Sequence, residues 1–307
     1  ASDRKIRDVS GDCPQRSEKI TRKTEVPMSF ASETKTALAV LPIKSVCCKK
    51  AELYGLFFTQ SDFENRVIRF STDNEKIASL CSYLTKSVFG FESVFEDSEK
   101  LTRAGGPAVG YKFLMPRDSD VIKMTDCFSE YDASFDRLPK CDGCLKSFFR
   151  GLFLAVGTIS DPNSGYHLEF AVSDEKKASV VCEYLETIGV PGRLTSRRGV
   201  CAIYVKESEA IEDFFTYIGA PQTSLTIMEV KIMREIRNNE NRRNNCDTAN
   251  IYKSTGAAIE QIKSINRLIE HNLFGKLPAE LAETAKLRLD NPELSMSELA
   301  ALHDPPI

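Results

Sequence analysis

The stretch CDGCLKSFFRGLFLAVG, residues 141–157, repeats the pattern of an earlier stretch, CCKKAELYGLFFTQS, residues 47–61. A shift of 96 positions aligns five pairs of identical residues: Cys48 with Cys144, Lys50 with Lys146, Gly55 with Gly151, Leu56 with Leu152 and Phe57 with Phe153. Downstream, residues 81–84 match residues 182–185 at a shift of 101. A repeat of this length indicates a duplicated unit, and two copies favour a pseudo-twofold body over an open solenoid.

Both copies predict the same order of elements, because helical apolar spacing and strand-like alternation follow one another in the same way. The first copy predicts a helix at 51–58, a strand at 67–71, a helix at 74–88, strands at 91–95 and 111–115, and a helix from 119. The second copy predicts a helix from 144, a strand at 166–172, a helix at 175–188, strands at 193–196 and 200–205, and a helix from 207. The predicted class is α+β, a pseudo-twofold duplicated αββαββα domain followed by a small all-α domain.

Gly55 and Gly151 occupy equivalent positions inside the two repeated helices. A glycine in a helix interior costs about 1 kcal/mol relative to alanine. That cost is explained if the two helices cross with their backbones nearly touching. The sequence therefore predicts that these helices pack on each other along the pseudo-twofold axis.

The composition places the chain among globular proteins that can fill a core, with 307 residues of which 42% are hydrophobic. No apolar run approaches the roughly 20 residues of a membrane span, and no charged-then-apolar leader opens the chain. These features predict a cytoplasmic protein without membrane contact. Residues 1–27 are polar and lack periodicity, so we expect a disordered leader or a non-native extension, with Met28 as a candidate start.

Ten cysteines are spread over the chain, which favours reduced thiols in an intracellular protein. Four of them, Cys47, Cys48, Cys141 and Cys144, stand at equivalent places in the two copies. A zinc ribbon is one interpretation. Adjacent cysteines are poorly spaced for one tetrahedral ion, and small residues fit helix starts, so the sequence favours packing. No metal and no cofactor are predicted.

Charge differs between the two copies although the net charge is only −3. The strand pair of the first copy is acidic, whereas the equivalent strands of the second carry Arg193, Arg197, Arg198 and Lys206 and no acid. If one surface of the domain binds an anion such as DNA, we expect it to lie on the second copy.

Residues 223–250 form an Asn- and Arg-rich segment that we interpret as a linker helix. Its candidate DNA-binding residues are Arg237, Asn238, Asn241, Arg242 and Asn245, of which the three asparagines share one helical face. Asn and Arg both reach phosphates and base edges. A solvated connecting helix explains the same composition, so both interpretations stay open.

Residues 251–307 predict a small helical domain. A helix at 251–273 follows Asp247 or Thr248 as N-cap, and a second helix after Pro278 has Leu281, Ala285 and Leu289 as inner positions. Ser295 and Glu298 predict a capping box for a third helix. Two short helices joined by a tight turn are the opening of a helix-turn-helix, and the recognition helix is expected beyond residue 307. The candidate DNA-binding residues of this third helix are Ser295, Met296, Ser297, Glu298, Leu299, Ala300, Ala301 and Leu302.

The paired glycine helices resemble the LAGLIDADG motif of homing endonucleases, in which each copy supplies one acid to metal ions at the scissile phosphates. Aligning the motif places Gln60 and Val156 at the two acid positions. Valine has no donor atom and neutral glutamine is a weak ligand for a hard cation. The resemblance therefore implies a scaffold without nuclease chemistry. Asp62 and Asp161 lie just beyond the helix ends and are the alternative acids, although aspartates there also suit turns.

From Met28 onward the chain resembles the WhiA family of bacterial regulators. The residues that carry the resemblance are Met28, Ser29, Phe30, Cys47, Cys48, residues 149–151, 160–162 and 166–169, Arg237, Asn238, Asn241, Arg242, Asn245, Cys246, Ala249 and Asn250. The resemblance implies a LAGLIDADG-like domain at 28–222, with repeats at about 46–128 and 141–219, and a sigma-region-4-like helix-turn-helix domain at 251–307. It also implies transcription regulation in sporulation, cell division and chromosome segregation, with double-stranded DNA as partner and a nucleoid-associated location. A sigma factor or another transcription regulator is the implied protein partner.

Two other functions remain open from the sequence. The first is a metal-dependent endonuclease that uses displaced acids such as Asp62 and Asp161. The second is a scaffold in which the duplicated domain binds protein and only the C-terminal domain meets DNA. The acidic first copy favours this second alternative.

Overall fold

The structure is a computed structural model that describes residues 28–101, 107–115, 117–132, 141–172, 174–197 and 200–303. The predictions for residues 1–27, for Arg198 and for the tip of the second strand pair lie outside these residues. The chain divides into two compact units. The first comprises the chain up to Asp161 with Glu169–Ala178 and Ser196–Ala202, and the second comprises Pro162–Leu168, Ser179–Thr195 and the chain from Ile203.

The first repeat follows helix α1, Phe30–Ala39, and a turn at Val40. It comprises α2 (Val46–Phe57), β1 (Ser71–Thr72), α3 (Glu75–Phe89), β2 (Val94–Leu101), β3 (Pro107–Leu114) and α4 (Asp118–Asp132). Its three strands form an antiparallel sheet in the order β1-β3-β2. Thr72 pairs with Tyr111 and Val94 pairs with Leu114, which fixes the register of the central strand.

The predicted strand at 67–71 is wrong, because β1 has only two residues and begins at Ser71. The segment before it is a tight turn closed by an isolated bridge between Asp62 and Val67. The Asp62 carboxylate accepts hydrogen bonds from the backbone and side-chain N–H groups of Asn65. Arg66 takes a φ of 57°, a left-handed conformation that extended strands do not contain. This turn ends at Val67, so it includes only the first residue of the predicted strand, and residues 68–70 form no strand.

The second repeat has the complete predicted order. It comprises α5 (Asp142–Val156), β4 (Gly157–Ile159), β5 (Leu168–Val172), α6 (Glu175–Thr187), β6 (Arg193–Arg197), β7 (Val200–Val205) and α7 (Ser208–Ile218). The sheet order is β4-β5-β7-β6. The αββαββα prediction is therefore confirmed for this copy, and the first copy shows one strand fewer within its described residues.

Helices α2 and α5 form the centre of the first unit, and their crossing is as the glycines predict. A Cβ atom on Gly55 would lie 2.2 Å from the carbonyl oxygen of Phe148, and one on Gly151 would lie 2.1 Å from that of Glu52. Each glycine therefore permits backbone contact with the other helix. The surrounding core is aromatic, and the ring of Tyr54 packs against those of Phe58, Phe63, Phe128, Tyr131 and Phe148.

The C-terminal part of the second unit is organised by α8, Pro221–Glu270, a helix of 50 residues. The predicted start of a separate helix at 251 is wrong, since α8 passes through Asp247 and Thr248 without a break. At 1.5 Å per residue α8 is about 75 Å long. Between Ile251 and Ile269, Ala258 and Ile265 are buried and Ile251 and Ile269 are exposed. The division of the chain at residues 222 and 250 stays a prediction.

Two short helices, α9 (Ala279–Asp290) and α10 (Met296–Ala301), pack near the end of α8. The predicted capping box of α10 is confirmed, with reciprocal hydrogen bonds between Ser295 and Glu298. Leu281 is 56% exposed, contrary to its predicted inner position. Arg288 is buried on the same helix instead, because its guanidinium group finds hydrogen-bond acceptors there.

Candidate functional site

Gln60 and Val156 line one cavity of about 430 Å³ at the C-terminal ends of α2 and α5. Helices α2 and α5 cross at their glycines, and both end at this cavity. The two positions aligned with the LAGLIDADG acids therefore lie at one site, as the sequence predicts. The other lining residues are Thr59, Ile68, Arg69, Phe70, Ser71, Lys112, Phe113 and Ala171. No lining residue carries a carboxylate, and two of them are cationic.

The Gln60 side chain has a structural partner. Its Oε1 atom accepts a hydrogen bond of 3.2 Å from the backbone N–H of Ser71. This bond connects the end of α2 to the start of β1. Val156 is the last residue of α5 and offers only methyl groups to the cavity. The cavity wall at these two positions is therefore neutral.

The alternative acids do not line the cavity. Asp62 is exposed and its carboxylate holds the turn through Asn65, whose side-chain hydrogen bond is the main reason why the pKa of Asp62 lies below its usual value. Asp161 is also exposed and is absent from the cavity lining. Lys177 donates hydrogen bonds of 2.8 Å and 3.0 Å to the carbonyl oxygens of Phe58 and Ser61. A cation thus stabilises the carbonyl end of α2.

A buried ion pair joins α2 and α5 near their crossing point. Arg150 donates from Nε and Nη2 to Glu52 Oε2, at 2.9 Å and 2.7 Å. Glu52 Oε1 is buried and has no hydrogen-bond partner among the residues that the structure describes. Burial raises the pKa of the Glu52 carboxyl to about 7, although the Arg150 guanidinium opposes this shift. This pair was not among the predictions, although an acid three residues before Gly55 and a base next to Gly151 were a usable signal.

The other ends of α2 and α5 bring four thiols together. Cys47 and Cys48 lie in the first turn of α2, Cys141 is the N-cap of α5, and Cys144 lies in its first turn. All four sulfur atoms lie within 4.8 Å of one another. Hydrogen bonds from Cys48, from the Gly143 backbone, from Cys144 and from Cys47 lower the pKa of Cys141 to about 7. Both repeats therefore contribute to one cluster.

The candidate DNA-binding residues of α8 lie on its most exposed part, since every residue from 237 to 257 is exposed. Because a helix advances about 100° per residue, Arg237, Asn238, Asn241, Arg242 and Asn245 cover an arc of about 140°. Arg243 lies about 100° outside this arc. Arg234, another basic residue of the segment, is held by the carbonyl of Pro162 at 2.9 Å and by the ring of Tyr166.

The remaining candidates lie on β6 and α10. Arg193 is exposed and lines a small cavity of about 120 Å³ with Tyr204 and Lys206. The backbone of Arg197 ends β6, and its side chain and all of Arg198 lie outside the described residues. On α10, Leu299 is buried and belongs to the helical core rather than to a surface. Ser297, Glu298 and Ala301 are exposed, as are Met296 and Leu302, and Ser295 and Ala300 are half-buried.

Comparisons with known proteins agree with this architecture. Family models match residues 145–237 as the WhiA LAGLIDADG-like domain and residues 241–307 as the WhiA C-terminal HTH domain. A probable cell division protein WhiA of Clostridium novyi (strain NT) is 37% identical over 294 residues, covering 91% of this chain and 92% of that protein. The counterpart of Carboxydothermus hydrogenoformans is 34% identical over 295 residues, with coverage of 91% and 92%.

Among solved structures, full-length DUF199/WhiA from Thermatoga maritima matches with a TM-score of 0.60 and 23% identity, covering 90% of this chain and 91% of that one. Fold and site thus define a protein with a LAGLIDADG-like domain followed by a helix-turn-helix domain, a class that implies DNA binding. The chain belongs to the WhiA family. Among the described residues, no helix is long and apolar enough to cross a bilayer.

Proposed function

We propose that this chain is a DNA-binding transcriptional regulator whose LAGLIDADG-like domain does not cleave DNA. The neutral side chains of Gln60 and Val156 on the shared cavity carry the proposal. Cleavage by this fold requires carboxylates that hold divalent ions between the two helices. A hard cation such as Mg²⁺ prefers carboxylate and water oxygens, which this cavity wall does not supply.

DNA contact is proposed for the exposed arc of α8 and for the helix-turn-helix domain. Arg237 and Arg242 would contact phosphates, and Asn238, Asn241 and Asn245 would reach phosphates or base edges. The arc lies on a part of α8 that is exposed on every side. Arg193, Arg197 and Arg198 on the second repeat would add a weaker, sequence-independent attraction. On α10, we assign contact to the exposed residues around Ser297.

The cellular role follows from the family. Relatives carry the name probable cell division protein, and we propose that this chain acts in cell division and the associated chromosome segregation and sporulation programmes. A regulator of this kind would work at the nucleoid. A sigma factor or another transcription regulator is the proposed protein partner, because a helix-turn-helix similar to promoter readers suits joint binding at a promoter.

Two alternatives are less well supported. A nuclease that uses Asp62 and Asp161 would need both acids at the cavity, whereas Asp62 is engaged by Asn65 and neither acid lines the cavity. A protein scaffold that leaves DNA to the C-terminal domain is compatible with a cavity wall that lacks carboxylates. It differs from the main proposal in predicting that Arg193 and Arg197, on the duplicated domain, do not affect DNA affinity.

Binding of labelled duplex DNA, titrated at several salt concentrations, tests the DNA contact. The double variant Arg237→Gln with Arg242→Gln should bind more weakly and reduce the salt slope by about 2, because each lost phosphate contact removes about 0.9. Arg243→Gln removes one positive charge from outside the arc and is the matched control for each of the single variants, Arg237→Gln and Arg242→Gln. Equal salt slopes for the double variant and the parent protein would contradict the assignment of phosphate contacts to this arc.

Incubation with supercoiled plasmid and Mg²⁺ or Mn²⁺ tests the absence of cleavage. We expect no nicking beyond that of a buffer control. Nicking that persists through purification and disappears in Asp161→Ala would replace the main proposal with the nuclease alternative.

A further inference from the structure

We propose that Cys47, Cys48, Cys141 and Cys144 bind one zinc ion that joins the two repeats. Sequence spacing alone favoured packing, because two adjacent cysteines cannot supply the usual two-residue loop of a zinc ribbon. In the folded chain, this objection to a zinc site does not apply. The ligands come in pairs from two helices, so the spacing within either pair no longer decides whether a tetrahedron forms.

The distances fit a mononuclear site. The Sγ atom of Cys141 lies 3.5 Å from those of Cys48 and Cys144, and 3.6 Å from that of Cys47. All four atoms lie within 4.8 Å of one another. Four sulfurs around one zinc at 2.3 Å are separated by about 3.8 Å in a regular tetrahedron. The thiols therefore need only small shifts to enclose an ion.

The same distances disfavour other forms of the cluster. A 4Fe–4S cluster binds each cysteine through a different iron atom, and a 2Fe–2S cluster divides four cysteines between two iron atoms, so thiolate sulfurs on different iron atoms lie farther apart than the 4.8 Å found here. A disulfide would need about 2.05 Å between two sulfurs, and all four cysteines are free thiols. Soft thiolate ligands in a tetrahedral set select zinc among the common divalent ions.

The local electrostatics suit a zinc tetrathiolate, which carries a net charge of −2. Cys47, Cys48, Cys141 and Cys144 all lie at the N-terminal ends of α2 and α5, where the helix dipoles favour negative charge. The Gly143 backbone donates a hydrogen bond to the Cys141 sulfur. A Cβ atom on Gly143 would lie 3.0 Å from the Cys48 sulfur, so glycine permits the backbone of α5 to approach the site.

The fold buries two of the four thiols and exposes one of them to solvent. Cys48 and Cys144 are buried in a small apolar cluster with Ala51, and Ile43 packs against it. Cys141 is exposed, which gives an ion a path from solvent. Zinc would therefore link residues 47–48 to residues 141–144 across more than ninety positions of chain. Since the unfolded chain lacks this site, the binding free energy would stabilise the packing of α2 against α5.

The full chain, purified under reducing conditions without added chelator, provides the test. Elemental analysis should find one zinc per chain in the parent protein and in Cys246→Ser, a matched control that alters an exposed thiol on α8. The double variant Cys141→Ser with Cys144→Ser should lose the zinc. Reconstitution of the metal-free parent protein with Co²⁺ should give the intense visible absorption of tetrahedral cobalt with sulfur-to-metal charge transfer in the near ultraviolet.

A further measurement uses only the parent protein and so does not depend on whether the variants fold. Alkylation of Cys141 by iodoacetamide should be slow with zinc and fast after removal of zinc by a chelator. Three outcomes would overturn the proposal: zinc content equal in the parent protein and the double variant, a cobalt spectrum typical of an octahedral ion, or iron with acid-labile sulfide in place of zinc.

Discussion

Arg150 Nη2 lies 2.7 Å from Glu52 Oε2 in the interface between α2 and α5, and both side chains are almost fully buried. The pair lies beside the glycine crossing, between the thiol cluster at one end of the helices and the Gln60–Val156 cavity at the other. A buried ion pair is a poor source of net stability, because desolvation offsets most of the attraction. The pair instead fixes how the two helices face each other.

The raised pKa of Glu52 predicts a pH-dependent stability. The folded-state pKa of about 7 exceeds the usual value of 4.5, so this contribution is fully present below pH 4.5 and is lost as the pH rises through about 7. The shift corresponds to about 3 kcal/mol. Urea unfolding at pH 5 and pH 8 should show lower stability at pH 8.

Glu52→Gln mimics the protonated acid and should reduce this difference, whereas Glu33→Gln on the surface should not. An unchanged difference in Glu52→Gln would refute the assignment.

The helix crossing predicts a strong effect of small substitutions at Gly55 and Gly151. An added Cβ atom at either position would approach a backbone carbonyl oxygen to 2.2 Å or less, far inside the ordinary contact distance of about 3.5 Å. We expect Gly55→Ala and Gly151→Ala each to cost at least about 3 kcal/mol of unfolding free energy, measured by chemical denaturation.

Gly256→Ala is the matched control for these two variants. Gly256 lies in α8 with nothing within 4 Å of the added atom. Alanine should therefore stabilise the helix there by up to about 1 kcal/mol. Equal destabilisation at all three glycines would contradict the crossing geometry.

Arg288 predicts a local stability effect in the helical domain. Its Nε atom donates to Gln261 Oε1 at 2.9 Å, and Nη1 donates to the carbonyl oxygens of Asn291 and Leu294. Arg288→Met should leave these acceptors unpaired at a cost of about 2 kcal/mol. Hydrogen exchange should then accelerate in α9 and α10. Lys286→Met, an exposed change on the same helix, should leave the exchange rates unaltered. Unchanged exchange rates in Arg288→Met would show that the Arg288 guanidinium does not stabilise the segment between α9 and α10.

The capping box predicts a smaller effect at the start of α10. Ser295 Oγ accepts a hydrogen bond from the Glu298 N–H, and Glu298 Oε2 accepts one of 2.7 Å from the Ser295 N–H. Ser295→Ala should cost about 1 kcal/mol, seen as faster amide exchange in α10. Ser297→Ala removes an exposed hydroxyl from the same helix and should have little effect. Similar exchange in the two variants would argue against the capping role.

The duplication and most element positions were predictable because they depend on local patterns. Alternation predicted β5, β6 and β7, and apolar spacing predicted α3 and α6 to within two residues at each end. Two predictions were wrong, the strand at 67–71 and the helix start at 251. The strand predicted at 67–71 is reduced to Ser71–Thr72 and follows a turn that ends at Val67. Helix α8 continues through residues that resemble an N-cap, because nothing in that segment breaks a helix.

The candidate site was predictable only in part. The resemblance to the LAGLIDADG motif identified Gln60 and Val156, and both line one cavity in the structure. The pairing of Arg150 with Glu52, and the burial of Arg288 in place of Leu281, depend on which side chains face each other after packing. The spacing of residue types along the chain does not show which side chains meet after folding.

The amino-acid sequence by itself determined that the chain is duplicated and that two equivalent helices carry a glycine where they cross. This conclusion needs only the identity and order of residues, whereas the acid positions assigned to Gln60 and Val156 rest on the resemblance to the LAGLIDADG motif. Only the tertiary structure decided that four thiols from two distant segments lie within reach of one ion. Proximity across ninety residues arises from the packing of α2 on α5, because contact between distant segments is a property of the folded backbone and not of local spacing.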